Sequence, residues 1–331
     1  MDEQTLNLRK TLRRAGLSDQ AVEAAWPVWW SDAASESSSA RAELRFTLAR
    51  RLGLSPQSLS GDRVEFVWKD NTRFKHLSKE DEFQQAALSS FGIAIGRSLI
   101  KGTPPSRNLA GLMPDMLRQA VRRNRAFVDL AGLLAVCWGL GVPVVHLRIF
   151  PLSSKGMHAM VVKVDERYAI LLGRDAQYPA PIAFTLAHEM GHVALGHLQK
   201  SDAVIDMGDP AEAKEADDEE KEADEFALQL LTGEPRPDIQ TNIERFGAQQ
   251  LAAAVLEAGP SRGIEPGTLA LCIAYKTDKW PIAAAALKHI YKEGKPVWQE
   301  VNAVARRELD WDSLGSDASD YLHAVMAISD A

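Results

Sequence analysis

The 331-residue chain has only two cysteines, Cys137 and Cys272, far apart and each in apolar surroundings, and it has no CxxC pair. This excludes a disulfide framework and a thiolate metal site. Two isolated thiols read as small buried side chains of a reducing compartment, and any metal must be held by nitrogen and oxygen. Long apolar runs are also lacking. The longest, LAGLLAVCWGLGVPVV over 130–145, is too short for a comfortable membrane span, and Gly139, Gly141 and Pro143 interrupt it. It reads instead as a buried helix passing into a strand. The first residues, MDEQTLNLRK, carry charges and no apolar core, unlike a signal peptide. No internal repeat is evident. The expectation is a cytoplasmic protein with no membrane partner.

What is present is an ordinary globular composition, 46% hydrophobic and 25% charged. The length suits two or three domains. The net charge of −7 hides an asymmetry: residues 1–125 hold 20 Lys+Arg against 14 Asp+Glu, whereas residues 126–331 hold 18 against 31. A basic front and an acidic back suggest different partners for the two parts.

Residues 1–60 read as helical, with a polar loop at 31–40. Over 40–62 a helix, a turn at Gly53 and a short helix opened by Pro56 give the outline of a helix-turn-helix with arginines on its exposed face. Small helical bundles share that outline, and DNA binding through residues 1–110 is one expectation. Residues 61–108 form a connector: RVEFVWKD (63–70) alternates like a strand, an amphipathic helix follows, and KGTPPSRN (101–108) is a linker. A core over 109–237 then begins with a helix over 116–141. A strand at 144–150 and a hairpin turning at Asp165 and Glu166 follow, then a helix carrying TLAHEMGH (185–192). After a polar, acidic stretch, EKEADEFALQLL (220–231) is a periodic helix closed by Gly233 and Pro235. Residues 238–331 are mostly helical. The fold class is α+β, mostly helical, with a small antiparallel or mixed sheet.

From this composition a chance H-E-x-x-H is expected on the order of once in a hundred such chains, so the motif needs support from its surroundings. On a helix His188 and His192 stack one turn apart, and their ring nitrogens can converge on one cation. Glu189 is rotated by about 100°, beside the pair, where it can reach a metal-bound water without being a ligand. Phe184, Leu186, Ala187, Val193 and Leu195 make this helix apolar. Polar groups buried unpaired there would cost on the order of several kcal/mol.

A catalytic zinc takes three protein ligands and a water. His197 lies five residues past His192, on the wrong side of the helix, and reads better as a supporting or core histidine than as a ligand. The better source is the 219–227 segment. With a buried stripe centred near Ala223 and about 100° per residue, Glu220 and Glu219 flank the stripe while Glu222 faces water. Glu220 is the preferred ligand, with Glu219 and Glu222 as alternatives. Asp224, one turn after Glu220, is placed to accept a hydrogen bond from a ligand histidine.

The hairpin, TLAHEMGHVALGH and EKEADEFALQLL together resemble the ImmA/IrrE metallopeptidase family over roughly 110–235. The resemblance implies a zincin-like core, a single zinc held by His188, His192 and Glu220, and Glu189 as general base on the zinc-bound water. It also implies intracellular proteolysis of a regulatory protein, often a helix-turn-helix repressor, with roles in transcription regulation and stress response. The substrate is expected to add a strand along a free edge of the 159–172 hairpin. His158, Tyr168, Tyr178 and His197 are the candidate oxyanion or substrate contacts. The alternative is a DNA-binding regulator or sensor whose zinc core is structural or regulatory.

Overall fold

Apolar runs without alternation become strands that are buried on both faces. The structure is a computed structural model, which describes residues 3–60, 64–68, 72–75, 82–105, 109–153, 157–199, 201–206, 218–239 and 245–328. Among these the helices are α1 (Glu3–Arg14), α2 (Asp19–Ala25), α3 (Asp32–Ser35), α4 (Ser38–Leu52), α5 (Glu82–Lys101), α6 (Pro114–Arg122), α7 (Leu130–Gly139) and α8 (Pro179–Ala194). They continue with α9 (Asp218–Thr232), α10 (Ala248–Arg262), α11 (Pro266–Thr277), α12 (Trp280–Tyr291), α13 (Val297–Glu308), α14 (Trp311–Leu314) and α15 (Ser316–Met326). The strands are β1 (Thr72–Lys75), β2 (Val144–His146), β3 (Ala159–Val164), β4 (Arg167–Leu172) and β5 (Ala203–Asp206). The fold is α+β and mostly helical.

Among the described residues the strands form one five-stranded mixed sheet in the order β1-β5-β3-β4-β2. β3 runs antiparallel to β4 and β5, and the two outer pairs are parallel. The period-2 geometry of strands sorts the sheet's side chains into two cores. Ala159, Val161, Tyr168, Ile170, Leu172 and Val204 face a cluster shared with α6–α9. Met160, Val162, Ala169, Leu171, Ala203 and Ile205 face one shared with α1, α2, α4, α5 and the last helices. The sheet is therefore a middle layer, which is why β3, β4 and β5 are apolar along most of their length. A third cluster joins α10, α11 and α12, and α11 packs on α8.

The C-terminal helices close one edge of the sheet. Asn302 on α13 accepts from the His146 backbone N–H at 2.8 Å and donates to the His146 carbonyl at 2.8 Å and to the Met326 carbonyl at 2.7 Å. A side-chain amide thus occupies the backbone groups that an edge strand would otherwise present.

Several sequence expectations are corrected. The polar stretch 31–40 holds α3 and the start of α4, because Ser31 and Ser37 act as N-caps rather than loop residues. The expected strand at 63–70 is reduced to a single bridge between Phe66 and Leu54. The Ser90 hydroxyl takes the backbone N–H and carbonyl of Trp68 at 3.0 and 3.1 Å and ends the pairing there. Residues 63, 69 and 70 of that stretch, residues 106–108 of the linker and most of the acidic stretch (207–217) lie outside the described residues. The helix expected over 116–141 is two helices, α6 and α7, the second restarted by the Asp129 side chain as N-cap. The strand expected over 144–150 stops at His146, since the Arg148 N–H turns to the Val325 carbonyl.

The hairpin does not offer the free edge proposed for substrate. β5 pairs with β3 over 159–162 and β2 with β4 over 170–172. β5 falls in the polar, acidic stretch and, only four residues long, gives too short a pattern to detect from sequence. The helix-turn-helix outline also changes. Gly53 caps α4 in the left-handed region at φ 69 as expected, but the second helix is a three-residue 3-10 turn, Ser58–Ser60. Nor is Arg51 exposed: it is buried, donating to the Ala25 carbonyl and to Asp317.

No helix among the described residues is long and apolar enough to cross a membrane.

Candidate metal centre

α8 starts with proline at its first helical positions, where the missing N–H costs nothing, and is apolar along most of its length. Its second half carries His188, Glu189 and His192, all fully buried. α9 begins with Asp218, Glu219 and Glu220, carboxylates at a helix N-terminus where the macrodipole favours negative charge. The two helices come close because Gly191 has no side chain. A Cβ there would stand 3.1 Å from Ala223 Cα and 3.2 Å from the Ala223 carbonyl oxygen. The glycine inside the HEMGH motif thus sets the distance over which Glu220 must reach.

Glu220 reaches the histidines and is 2% exposed. His188 Nε2 and His192 Nε2 are 3.0 Å apart. Glu220 Oε2 lies 3.4 Å from the first and Oε1 3.5 Å from the second. Tetrahedral zinc bonds of about 2.05 Å would put ligand atoms about 3.3 Å apart, so the spacing fits one such ion. His188, His192 and Glu220 form the group among the described residues whose ligand atoms could hold a metal, all within 4.8 Å of one another.

The outward-facing nitrogens strengthen this fit. His188 Nδ1 is 2.8 Å from Asp224 Oδ1, and a carboxylate can only accept, so Nδ1 carries the proton and Nε2 presents a lone pair to the site. His192 Nδ1 is 2.9 Å from His197 Nδ1, and His197 Nε2 is 3.2 Å from Glu222 Oε2. Two imidazole nitrogens and a carboxylate thus turn towards one point, an arrangement that could hold a metal ion.

The other candidates fall elsewhere. His197 turns one ring nitrogen to the far nitrogen of His192 and the other to Glu222, outside the three-residue group. Tyr178 caps α8 ten residues before His188, about 15 Å along the helix axis, and stacks on Tyr291 at 5.6 Å between centroids. Tyr168 is buried in the α8-side core, where burial and then the Glu166 charge push its phenol pKa up. His158 immediately precedes β3, its carbonyl accepting from the Gly173 and Arg174 N–H groups just past β4 and its Nε2 3.4 Å from the Arg174 guanidinium. Glu219 is not part of the three-residue group. Sequence reasoning missed the role of Glu222: helical phase marks it as solvent-facing, and its side chain is 64% exposed, yet its length lets it reach His197.

A family model described as Peptidase U49 matches residues 167–261, less than a third of the chain but including β4 and both helices of this centre. No curated protein and no solved structure matches the chain. The match supports a peptidase.

Proposed function

We propose that the chain is a zinc-dependent endopeptidase of the ImmA/IrrE type that cleaves a regulatory protein inside the cell. A helix-turn-helix repressor is the substrate class that this resemblance implies. The observation that carries the reading is the convergence of two buried imidazole nitrogens and one buried carboxylate within 3.0–3.5 Å. When bound, zinc supplies Lewis acidity, bringing the pKa of water at the site towards 7 and polarising a carbonyl. His188 and His192 hold the ion through Nε2 and Glu220 through its carboxylate. Asp224 fixes the His188 ring. Glu189, one residue on from His188, takes the proton of the attacking water and returns it to the departing amine.

The DNA-binding alternative has less behind it. Arg50 and Arg51 are engaged by Asp317, Arg9 by Glu23 and Arg13 by Asp19, so these four arginines of the front half serve internal pairs. A purely structural zinc also gives no reason for a buried Glu189 next to its ligands.

Profiling of new protein N-termini tests the proposal. Lysate treated with wild-type chain should gain termini that chelator abolishes, zinc restores and Glu189→Gln fails to produce. Termini that form equally with Glu189→Gln would overturn it.

A further inference from the structure

We infer that Glu222 and His197 are positioning residues that set the tautomer of His192, forming a surface-to-centre relay on the opposite side from Asp224. The inference rests on the metallopeptidase reading above. His188 and His192 must both present Nε2 lone pairs to bind an ion, so each must hold its proton on Nδ1. For His188 a carboxylate, Asp224, enforces this directly. For His192 the neighbour at 2.9 Å is another imidazole nitrogen, His197 Nδ1, which could equally donate or accept. The choice is made one step further out.

Glu222 Oε2 accepts from His197 Nε2 at 3.2 Å. Held in that tautomer, His197 has its lone pair on Nδ1, and His192 Nδ1–H donates to it. The opposite polarity would put the proton of His192 on Nε2, between the two ligand imidazoles, and a metal would bind only by displacing it. A side chain that is 64% exposed thus decides the chemistry of a fully buried ligand through one intervening ring. The geometry of α8 makes this possible: Gly196, at φ 77, turns the chain after the helix, and the His197 N–H bonds back to the His192 carbonyl at 3.0 Å, bringing the two rings together.

The test is zinc affinity of the full chain, measured by chelator competition, with the cobalt absorption spectrum as a second readout. Outer partners of metal-bound histidines typically control about 10–100-fold in affinity. Glu222→Gln keeps an acceptor oxygen and should stay within about 3-fold of wild type. Glu222→Ala should weaken binding about 10-fold, and Glu222→Lys, which imposes a donor and reverses the relay, by about 100-fold with an altered cobalt spectrum. Glu225→Lys, the same charge change three residues along α9, should bind as wild type does. A structural or purely electrostatic role would not give the order Gln, Ala, Lys at one position and no effect at the other. Equal affinity across the Glu222 series, or an equal loss in Glu225→Lys, would overturn the relay and leave the metal centre intact. Wild type that binds no zinc would instead overturn the metallopeptidase reading, and this inference with it.

Discussion

Gly191 faces Ala223 so closely that an added Cβ would lie 3.1 Å from Ala223 Cα, with Phe226 Cβ at 3.3 Å. Those neighbours are backbone or the root of a side chain, so they cannot swing away. Gly191→Ala gains about 1 kcal/mol of helix propensity but forces α8 and α9 apart, and overpacking costs about 1–3 kcal/mol. The expected outcome is a lower urea midpoint together with weaker zinc binding, as Glu220 is drawn back. Gly139→Ala, where nothing lies within 4 Å of the new Cβ, should leave the midpoint unchanged or raise it. The two variants compared in one denaturation series test whether close approach is what the motif's glycine provides.

Glu189→Gln preserves shape while removing a base. We expect full zinc content and a loss of turnover of about 10²- to 10⁴-fold, the usual contribution of a positioned general base. Metal analysis beside a cleavage assay on a substrate found by terminus profiling checks both halves. Loss of zinc in this variant would mean that Glu189 is a ligand rather than a base.

His146 gives a pH dependence independent of the metal centre. Burial is the main cause lowering its pKa from 6.5, while the Arg174 and Leu147 carbonyls, 2.7 and 3.0 Å from its ring nitrogens, oppose the shift. With the folded pKa below the unfolded one, the unfolded chain binds a proton that the folded chain resists. The stability is therefore fully present above about pH 6.5 and is lost as pH falls through the folded value. Denaturation midpoints measured in chelator between pH 7.5 and pH 5, conditions set by that window, should fall more steeply for wild type than for His146→Gln. Parallel slopes would show that His146 titrates alike in both states.

Much of the centre was readable from residue spacing, because helical geometry is periodic. His188 and His192 at one turn, and the phase of Ala223, Phe226, Ala227, Leu230 and Leu231, place Glu220 and Asp224 where the structure has them. Helical phase gives a residue's direction but not its reach: Glu222 points to solvent at its root and still bonds His197. The sheet was harder to read. Strands covered on both faces do not alternate, and β5 is short and surrounded by polar sequence. The free edge assigned to the hairpin therefore disappeared once β5 paired with β3. In the front half, composition registered the arginines but not their partners: the acid that engages Arg50 and Arg51 is Asp317, more than 260 residues away in sequence.

Two helices hold one divalent ion through His188, His192 and Glu220 if the proposed centre is right. Zinc content of purified wild type, His188→Ala, Glu220→Ala and Glu219→Ala tests this most directly. We expect one equivalent in wild type and Glu219→Ala and a small fraction of that in the other two. A full equivalent retained by Glu220→Ala would contradict the assignment.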